Sequence, residues 1–298
     1  MKLPDSTLAW VEAAAGAPVA AIERLRGGRT SEMHALALAN GGSCVLRRFV
    51  DPFFRAHADG LLRREAGVLC RLADGPIPVA RLIALDPGAR HADAPALLMS
   101  HLPGALALSD AGRIGELAAL LVAIHRTPTP SEARPRPYQS WALPHKRVIP
   151  AWSAREDAWA RLLALLDEPE PPHERCFLHR DFQPSNVLFG DDGRPTGVVD
   201  WVETSWGPPE LDVAHCHNAL AILHGRAVAA TFPGTYEAAG GRLRSDRPYW
   251  EAMDLVGYLP DPALNVDSWR EAGRTDLAPS LVAARLDERA DEIVSGAG

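Results

Sequence analysis

Cysteine is scarce in this chain and scattered. Cys44, Cys70, Cys176 and Cys216 lie far apart and form no CxxC pair, which speaks against a disulfide framework or a zinc ribbon and suits a reducing cytoplasm. Long apolar runs are also missing. Nothing approaches the roughly 18 consecutive apolar residues that a membrane-spanning helix needs. The N-terminal stretch PDSTLAWVEAAAGAPVAA places Asp5 and Glu12 where a signal peptide needs an apolar core, so a soluble, unprocessed, cytoplasmic chain with no membrane partner is expected. Excess positive charge is lacking as well: Lys+Arg total 31 against 38 Asp+Glu, a formal net charge of −7, which argues against nucleic acid as a partner. Lysine is nearly absent, represented by Lys2 and Lys146 alone.

What the chain does have is 298 residues, 47% of them apolar, enough for one large domain or two lobes. Its charge is uneven. Residues 1–104 carry twelve basic and ten acidic side chains, net +2, and residues 105–298 carry nineteen and twenty-eight, net −9. Alternating runs AAIERL, HALALA and SCVLRRF, the last two separated by NGG, predict an antiparallel β start. LLRREAGVLCRLA (61–73) has helical spacing, PALLMSHLPG reads as a strand entering a turn, and AGRIGELAALLVAIHRTP (111–128) reads as an amphipathic helix stopped by Pro128. DPGARHADAP (86–95) and TPTPSEARPRP (127–137) read as loops. The pattern up to Phe177 reads as helical and Trp-rich, and the chain from about Pro209 as helices. The outline is α+β: a small β-rich N-terminal lobe over 1–102 and a larger, mainly helical lobe over 103–298. The sequence sets no oligomeric state.

The densest chemistry lies in FLHRDFQPSNVLFGDDGRPTGVVDW, Phe177 to Trp201. NVLFG and TGVVDW form two short strands across the turn DDGRP, so a polar loop leads into a hairpin. Asp181 and Asn186 bracket the loop, and Asp200 closes the second strand. A carboxylate and an amide oxygen are hard ligands suited to Mg²⁺, which takes one or two carboxylates together with waters and phosphate oxygens. A second carboxylate can take or orient a hydroxyl proton. Phosphoryl transfer asks for little more than this positioning and charge neutralisation.

HRDFQPSN followed by VVDW resembles the HxDxxxxN and ID[FW] motifs of the aminoglycoside phosphotransferase and choline kinase group, relatives of protein kinases, and GPPELDVAH (207–215) resembles that group's GDPxxDLA. The resemblance extends in order across most of the chain. It implies a protein-kinase-like two-lobed fold, with Asp181 as catalytic base, Asn186 and Asp200 as Mg²⁺ ligands, His179 as a packing residue that braces the loop, and Asp212 as a structural acid capping a helix and bracing the same loop. ATP or GTP is the implied phosphate donor.

A kinase of this fold needs a cation on the third strand, paired with a helix carboxylate. Neither lysine sits on such a strand. Arg47 is therefore assigned the role with Glu65 as its partner, Arg48 on the opposite face being the competitor. Period-two alternation puts Val45 beside Arg47 as a roof for adenine. LRGGRTSE (25–32) has the position of a phosphate-covering loop, with Gly27, Gly28 and Ser31 as contacts. LLMSHLPG resembles the strand-to-hinge segment of kinases, where Ser100 C=O and Leu102 N–H would meet adenine, with Met99 beside the pocket.

Two rival constellations fail. His215, Cys216, His217 and His224 share a helix, but residues two apart point to different faces, so they are expected in the core and cleft wall and not on one metal. GGSCV lacks the last glycine of a GxSxG hydrolase elbow. GPPELD begins seven residues after Asp200, which leaves no room for a peptide-docking segment, so the acceptor is expected to be a small molecule and Arg180 to pair locally with an acid. Because residues 105–298 are acidic, with Glu203 soon after Asp200, Glu156 and Asp157 on a helix before the loop and Asp254 on one after it, an amine-bearing alcohol is the expected acceptor, and Glu203 and Asp254 its expected contacts. The reading from a different class is a nonenzymatic nucleotide-binding pseudokinase, against which the intact Asp181, Asn186 and Asp200 speak.

Overall fold

In the computed structural model, which describes residues 2–25, 30–244, 247–261 and 266–296, the chain divides into two compact units. The first comprises 1–105 with 188–203, and the second 106–187 with 204–298. Sequence reading divided the chain at 102/103; here the hairpin after the polar loop groups with the N-terminal segment.

The first unit opens with α1 (Asp5–Ala15), which sequence reading did not mark, followed by β1 (Val19–Leu25), β2 (Glu32–Leu38), β3 (Ser43–Arg48), α2 (Pro52–Leu72), β4 (Leu82–Asp86) and β5 (Ala96–Ser100). The five strands form one antiparallel sheet in the order β1-β2-β3-β5-β4. Leu36, Cys44, Leu46, Ala96 and Leu98 alternate onto one buried face, against which Leu3 and Val11 at the N-terminus pack. Helix α2 begins nine residues before the stretch predicted from periodicity, because Asp51 caps it by accepting the Phe53 and Phe54 N–H groups and Pro52 occupies its first turn. Strand β4 was also not foreseen. It runs into a loop folded around the Asp86 carboxylate, which takes the N–H groups of Arg90, His91 and Ala92.

The chain leaves this unit through β6 (Ala105–Leu106). Just before it, Gly104 has φ +99°, and a Cβ there would lie 2.3 Å from Thr196 Oγ1 and 2.6 Å from the Phe189 carbonyl oxygen, so only glycine fits. Those two neighbours belong to the hairpin of β8 (Val187–Phe189) and β9 (Pro195–Val198), closed by the Gly190 N–H to Arg194 O bond of 2.9 Å. The hairpin and its turn lie where the sequence pattern put them.

In the second unit, α3 (Ile114–His125) ends shortly before Pro128 as expected. The following fifty residues hold one regular helix, α4 (Glu156–Leu165), and otherwise turns and extended chain. The helical reading of this stretch is corrected: prolines at 128, 130, 135, 137, 144 and 150 interrupt any i to i−4 ladder. Strands β7 (Cys176–Leu178) and β10 (Ser205–Gly207) pair antiparallel on either side of the polar loop and hairpin in sequence. Helices α5 (Pro209–His224), α6 (Arg226–Ala229), α7 (Phe232–Ala238), α8 (Arg247–Val256), α9 (Val266–Glu271) and α10 (Pro279–Ser295) complete the unit. Helix α5 is buried on all sides from Glu210 to Leu223. Its polar residues are therefore paired with neighbouring helices: His217 Nδ1 lies 3.1 Å from Glu251 of α8, Arg289 of α10 meets the same carboxylate at 2.9 Å, and Arg289 Nε donates to Asn218 Oδ1 at 2.9 Å. Burial opposes ionisation of Glu251, but Arg289 and His217 overcome it and hold the carboxyl at about 2. Trp159 and Trp250 are fully buried in this core, each contributing about 1.5–3 kcal/mol or more by loss of apolar surface to water.

Candidate active site

The expected site residues fall into two groups, one in each unit. In the first unit, β3 presents Arg47 and Arg48 to opposite faces of the sheet. Both are buried, with different partners. Arg47 Nε lies 3.0 Å from Glu65 Oε2 of α2, and Nη1 lies 3.1 Å from Asp200 Oδ1 and 3.4 Å from Ser31 Oγ. Arg48 turns instead to Asp93 at 2.6 Å and Glu32 at 3.3 Å. The strand register thus gives Arg47, and not Arg48, the helix carboxylate. Burial disfavours the Arg47 charge, but Glu65 and Asp200 reverse this and push its pKa up.

Asp200 follows β9 and has φ +67°, a left-handed conformation that is uncommon outside glycine, asparagine and aspartate. The backbone there is over-determined by α2: Arg64 donates to the Val202 carbonyl, and Glu65 takes the Trp201 N–H. Asp200 keeps about a third of its side chain exposed. Glu203 ends the short helical turn Trp201–Glu203 and is half-buried. Val45 and Met99 are cross-strand partners on β3 and β5, both buried. Ser100 is tied to Arg81 by two 2.9 Å bonds, its N–H to the Arg81 carbonyl and its Oγ from the Arg81 N–H, and Leu102 lies against Gly197 of the hairpin. Gly27 and Gly28 lie outside the described residues.

In the second unit, the loop between β7 and β8 carries Asp181. Its Oδ1 accepts from His215 Nε2 at 2.8 Å and Gln183 Nε2 at 2.9 Å, and its Oδ2 from Asn186 Nδ2 at 3.1 Å. Asn186 Nδ2 also donates to the Asp181 carbonyl at 2.8 Å, which leaves the Asn186 amide oxygen as its accepting atom. Burial resists ionisation of Asp181, yet the His215 hydrogen bond and charge outweigh it and hold the carboxyl below its ordinary value.

The loop is braced from α5. Asp212, fully buried, accepts the His179 N–H at 2.8 Å and the Arg180 N–H at 2.7 Å, and meets His125 Nε2 at 3.2 Å. Asp212 does not cap the helix, as the sequence reading had it. Pro208 is the N-cap, and Asp212 sits one turn in, where its carboxylate is spent on loop backbone. His179 is fully buried, and its Nδ1 lies 3.2 Å from the Asp181 N–H. Arg180 has φ +74°, lies 3.7 Å from Asp254 and stacks 3.8 Å above the Trp141 ring, so its expected local acid is Asp254.

Asp254 itself differs from expectation. It is fully buried on α8, where Oδ1 meets His215 Nδ1 at 3.0 Å and Oδ2 takes Asn218 Nδ2 at 2.9 Å. Its carboxylate serves His215 and presents no surface to an acceptor. Sequence reading placed His215 and His217 on different faces, and they do part: His215 goes to Asp181 and Asp254, His217 to Glu251. It missed that His215 touches the loop aspartate, and it missed His125 and Trp141. The signal for His215 was its place three residues after Asp212, which puts both side chains on one helix face.

A five-stranded antiparallel sheet in one unit and a mainly helical second unit carrying an acidic loop define an α+β fold of the protein-kinase-like class. The model of the phosphotransferase enzyme family, APH, matches residues 21–256, and the chain belongs to that family. No curated protein matches. Among solved structures, a putative aminoglycoside phosphotransferase from Ralstonia eutropha is 19% identical with a TM-score of 0.66, covering 99% of this chain and 98% of that one. A thermostable mutant of aminoglycoside phosphotransferase APH(4)-Ia, in ternary complex with ADP and hygromycin B, is 17% identical with a TM-score of 0.64 and 98% of each chain covered. A macrolide 2'-phosphotransferase from Brachybacterium faecium is 19% identical with a TM-score of 0.59, covering 95% and 98%. Identities this low speak for the fold alone. Among the described residues, no helix is long and apolar enough to cross a membrane.

Proposed function

We propose that the chain is a small-molecule kinase that moves the γ-phosphate of ATP or GTP to a hydroxyl of an amine-bearing acceptor. The observation that carries this reading is Asp181 itself: an ionised carboxylate fixed by three side-chain donors, with Oδ2 taking only one of them. That oxygen has the capacity to receive a hydroxyl proton. In the proposed step the acceptor oxygen bonds to the γ-phosphorus, the bond from phosphorus to the β–γ bridging oxygen breaks, the hydroxyl proton passes to Asp181, and the nucleoside diphosphate leaves.

Asn186 and Asp200 are the proposed Mg²⁺ ligands. Their chemistry fits: Asn186 has its amide nitrogen engaged and its oxygen as acceptor, and Asp200 is a partly exposed carboxylate held in a fixed backbone conformation. One amide and one carboxylate suit a metal that completes its shell with water and phosphate oxygens. When bound, Mg²⁺ would neutralise charge on the phosphates. Arg47 would add positive charge for the same phosphates, and Ser31, with Gly27 and Gly28, would contact them. Val45, Met99, Ser100 and Leu102 would hold adenine.

The amine preference rests on the acidic excess of residues 105–298 and, of the two expected contacts, on Glu203. One solved neighbour is an aminoglycoside phosphotransferase in complex with ADP and hygromycin B and another is a macrolide 2'-phosphotransferase, so the shared fold does not choose the acceptor. The test is nucleotide consumption in the presence of a library of hydroxyl-bearing compounds. Acceptor-dependent release of nucleoside diphosphate, lost in Asp181→Asn with nucleotide affinity kept within several-fold, is expected. Nucleotide binding with no transfer to any acceptor would make the chain a binding module and overturn the proposal.

A further inference from the structure

His215 has both ring nitrogens against carboxylate oxygens, Nε2 at 2.8 Å from Asp181 and Nδ1 at 3.0 Å from Asp254. A neutral imidazole has one N–H, and an ionised carboxylate only accepts. Three protons placements could satisfy the chain of groups: on His215, on Asp181 or on Asp254. The surroundings decide. Among the described residues, the other partners of the Asp181 carboxylate are donors, Gln183 Nε2 on Oδ1 and Asn186 Nδ2 on Oδ2. Asp254 likewise faces the Asn218 amide N–H at 2.9 Å and the Arg180 guanidinium at 3.7 Å. Both carboxylates already accept from other donors, an arrangement that suits acceptor-only oxygens, so the proton is assigned to the ring. Tyr258 stacks on His215 with centroids 6.3 Å apart, and Trp141 meets its edge at 5.2 Å, so the ring cannot swing away without repacking.

We propose that His215 is a positioning residue for Asp181: a buried imidazolium, clamped by Asp254, that locks the rotamer of the base and directs its Oδ2 to the acceptor hydroxyl. The proposal rests on the reading of Asp181 as the base. Asp254 is fully buried, with Asn218 Nδ2 at 2.9 Å and the Arg180 guanidinium at 3.7 Å beside the carboxylate that holds the ring. The Asp181 and Asp254 charges are matched by those of His215 and Arg180, so the cluster is neutral as a whole. Burial opposes a charged ring, but Asp254 and Asp181 outweigh it and raise the His215 pKa to about 10, in keeping with this geometry.

The experiment compares His215→Gln, Asp254→Asn, the double variant and Asp181→Asn by steady-state kinetics on whichever acceptor supports turnover, with nucleotide hydrolysis as the fallback reaction. Each single change is expected to lower kcat by about tenfold or more, the scale of a mispositioned catalytic group, with the nucleotide KM within twofold. The double variant should be no worse than the poorer single one, since both act through one ring. A packing role alone would lower the folded fraction without this split. Nitrogen-15 NMR of the unaltered protein supplies a readout that survives if the variants fail to fold: at about pH 8, above the ordinary histidine range, one ring should show two bonded N–H protons. A neutral His215 ring at that pH overturns the proposal. So does wild-type turnover in His215→Gln alongside an inactive Asp181→Asn, which would leave the base reading standing. Full turnover in Asp181→Asn would overturn that reading, and this inference with it.

Discussion

Arg47 and Glu65 form a buried ion pair, Nε to Oε2 3.0 Å, joining β3 to α2 across 18 residues of sequence. Removing one member of such a pair leaves the other charged and desolvated. Arg47→Ala is therefore expected to lose about 3–5 kcal/mol of stability in urea unfolding. Arg48→Ala should lose less, because its partners Glu32 and Asp93 keep roughly 30% of their side chains in water. In calorimetry under folding conditions, Arg47→Ala should also weaken nucleotide binding while Arg48→Ala leaves it unchanged. The reverse result would give the strand-three role to Arg48.

Asp200→Ala and Asn186→Ala should each weaken nucleotide binding in the presence of Mg²⁺, with little effect in its absence, because each removes one oxygen ligand. Magnesium titrations that coincide with the unaltered protein in both variants would rule out the proposed ligand set.

The His215 cluster gives stability a definite pH dependence. Asp181 and Asp254 bond the ring, Arg180 faces Asp254, and Tyr258 stacks on it. The folded pKa of His215, about 10, lies above the ordinary value of 6.5. Its contribution is thus fully present below pH 6.5 and is lost as pH rises through 10. Between those limits the folded protein holds a proton that the unfolded chain releases, so unfolding free energy should fall by about 1.4 kcal/mol per pH unit from this group. Urea unfolding at several pH values should show that slope in the unaltered protein and its loss in His215→Gln. Equal slopes in both would place the proton elsewhere.

The proposed acceptor preference depends on long-range charge and should therefore be salt-sensitive. The Michaelis constant of an amine-bearing acceptor is expected to rise between low and physiological ionic strength, where screening reaches about 8–10 Å, while that of a neutral acceptor stays level. A stronger preference for the neutral acceptor at both salt levels would refute the charge argument and leave the transfer chemistry untouched.

Much of this architecture was legible because it rests on local pattern. Alternation in SCVLRRF set Arg47 and Arg48 on opposite faces, and the sheet register of β3 against β2 and β5 keeps them there. The hairpin was written in its turn residues. What was misread either had local signals given too little weight or was set by packing between distant segments. The early start of α2 depended on giving Asp51-Pro52 the weight of a cap and a first turn. The irregular chain after α3 follows from proline spacing that tryptophan content obscured. Asp254 lies 39 residues after His215, and nothing local to either shows that α5 and α8 bring them together. Net charge described a field around the second unit, but not that Asp254 is already neutralised by its neighbours.

The crowding at Gly104 narrows the paths by which this chain can vary. One neighbour of its missing Cβ, Thr196 Oγ1, could be trimmed away by a second substitution. The other is the Phe189 carbonyl oxygen at 2.6 Å, which every amino acid carries. An alanine at 104 thus has no compensating partner at 189, and relief must come from shifting the hairpin that leads to Asp200. A lineage could exchange Thr196 for alanine, giving up the 2.6 Å bond from its hydroxyl to the Pro103 carbonyl, and still find position 104 closed. A screen for second-site revertants of Gly104→Ala should return changes that move backbone in residues 187–200, or true reversion to glycine, and none that only shorten a side chain.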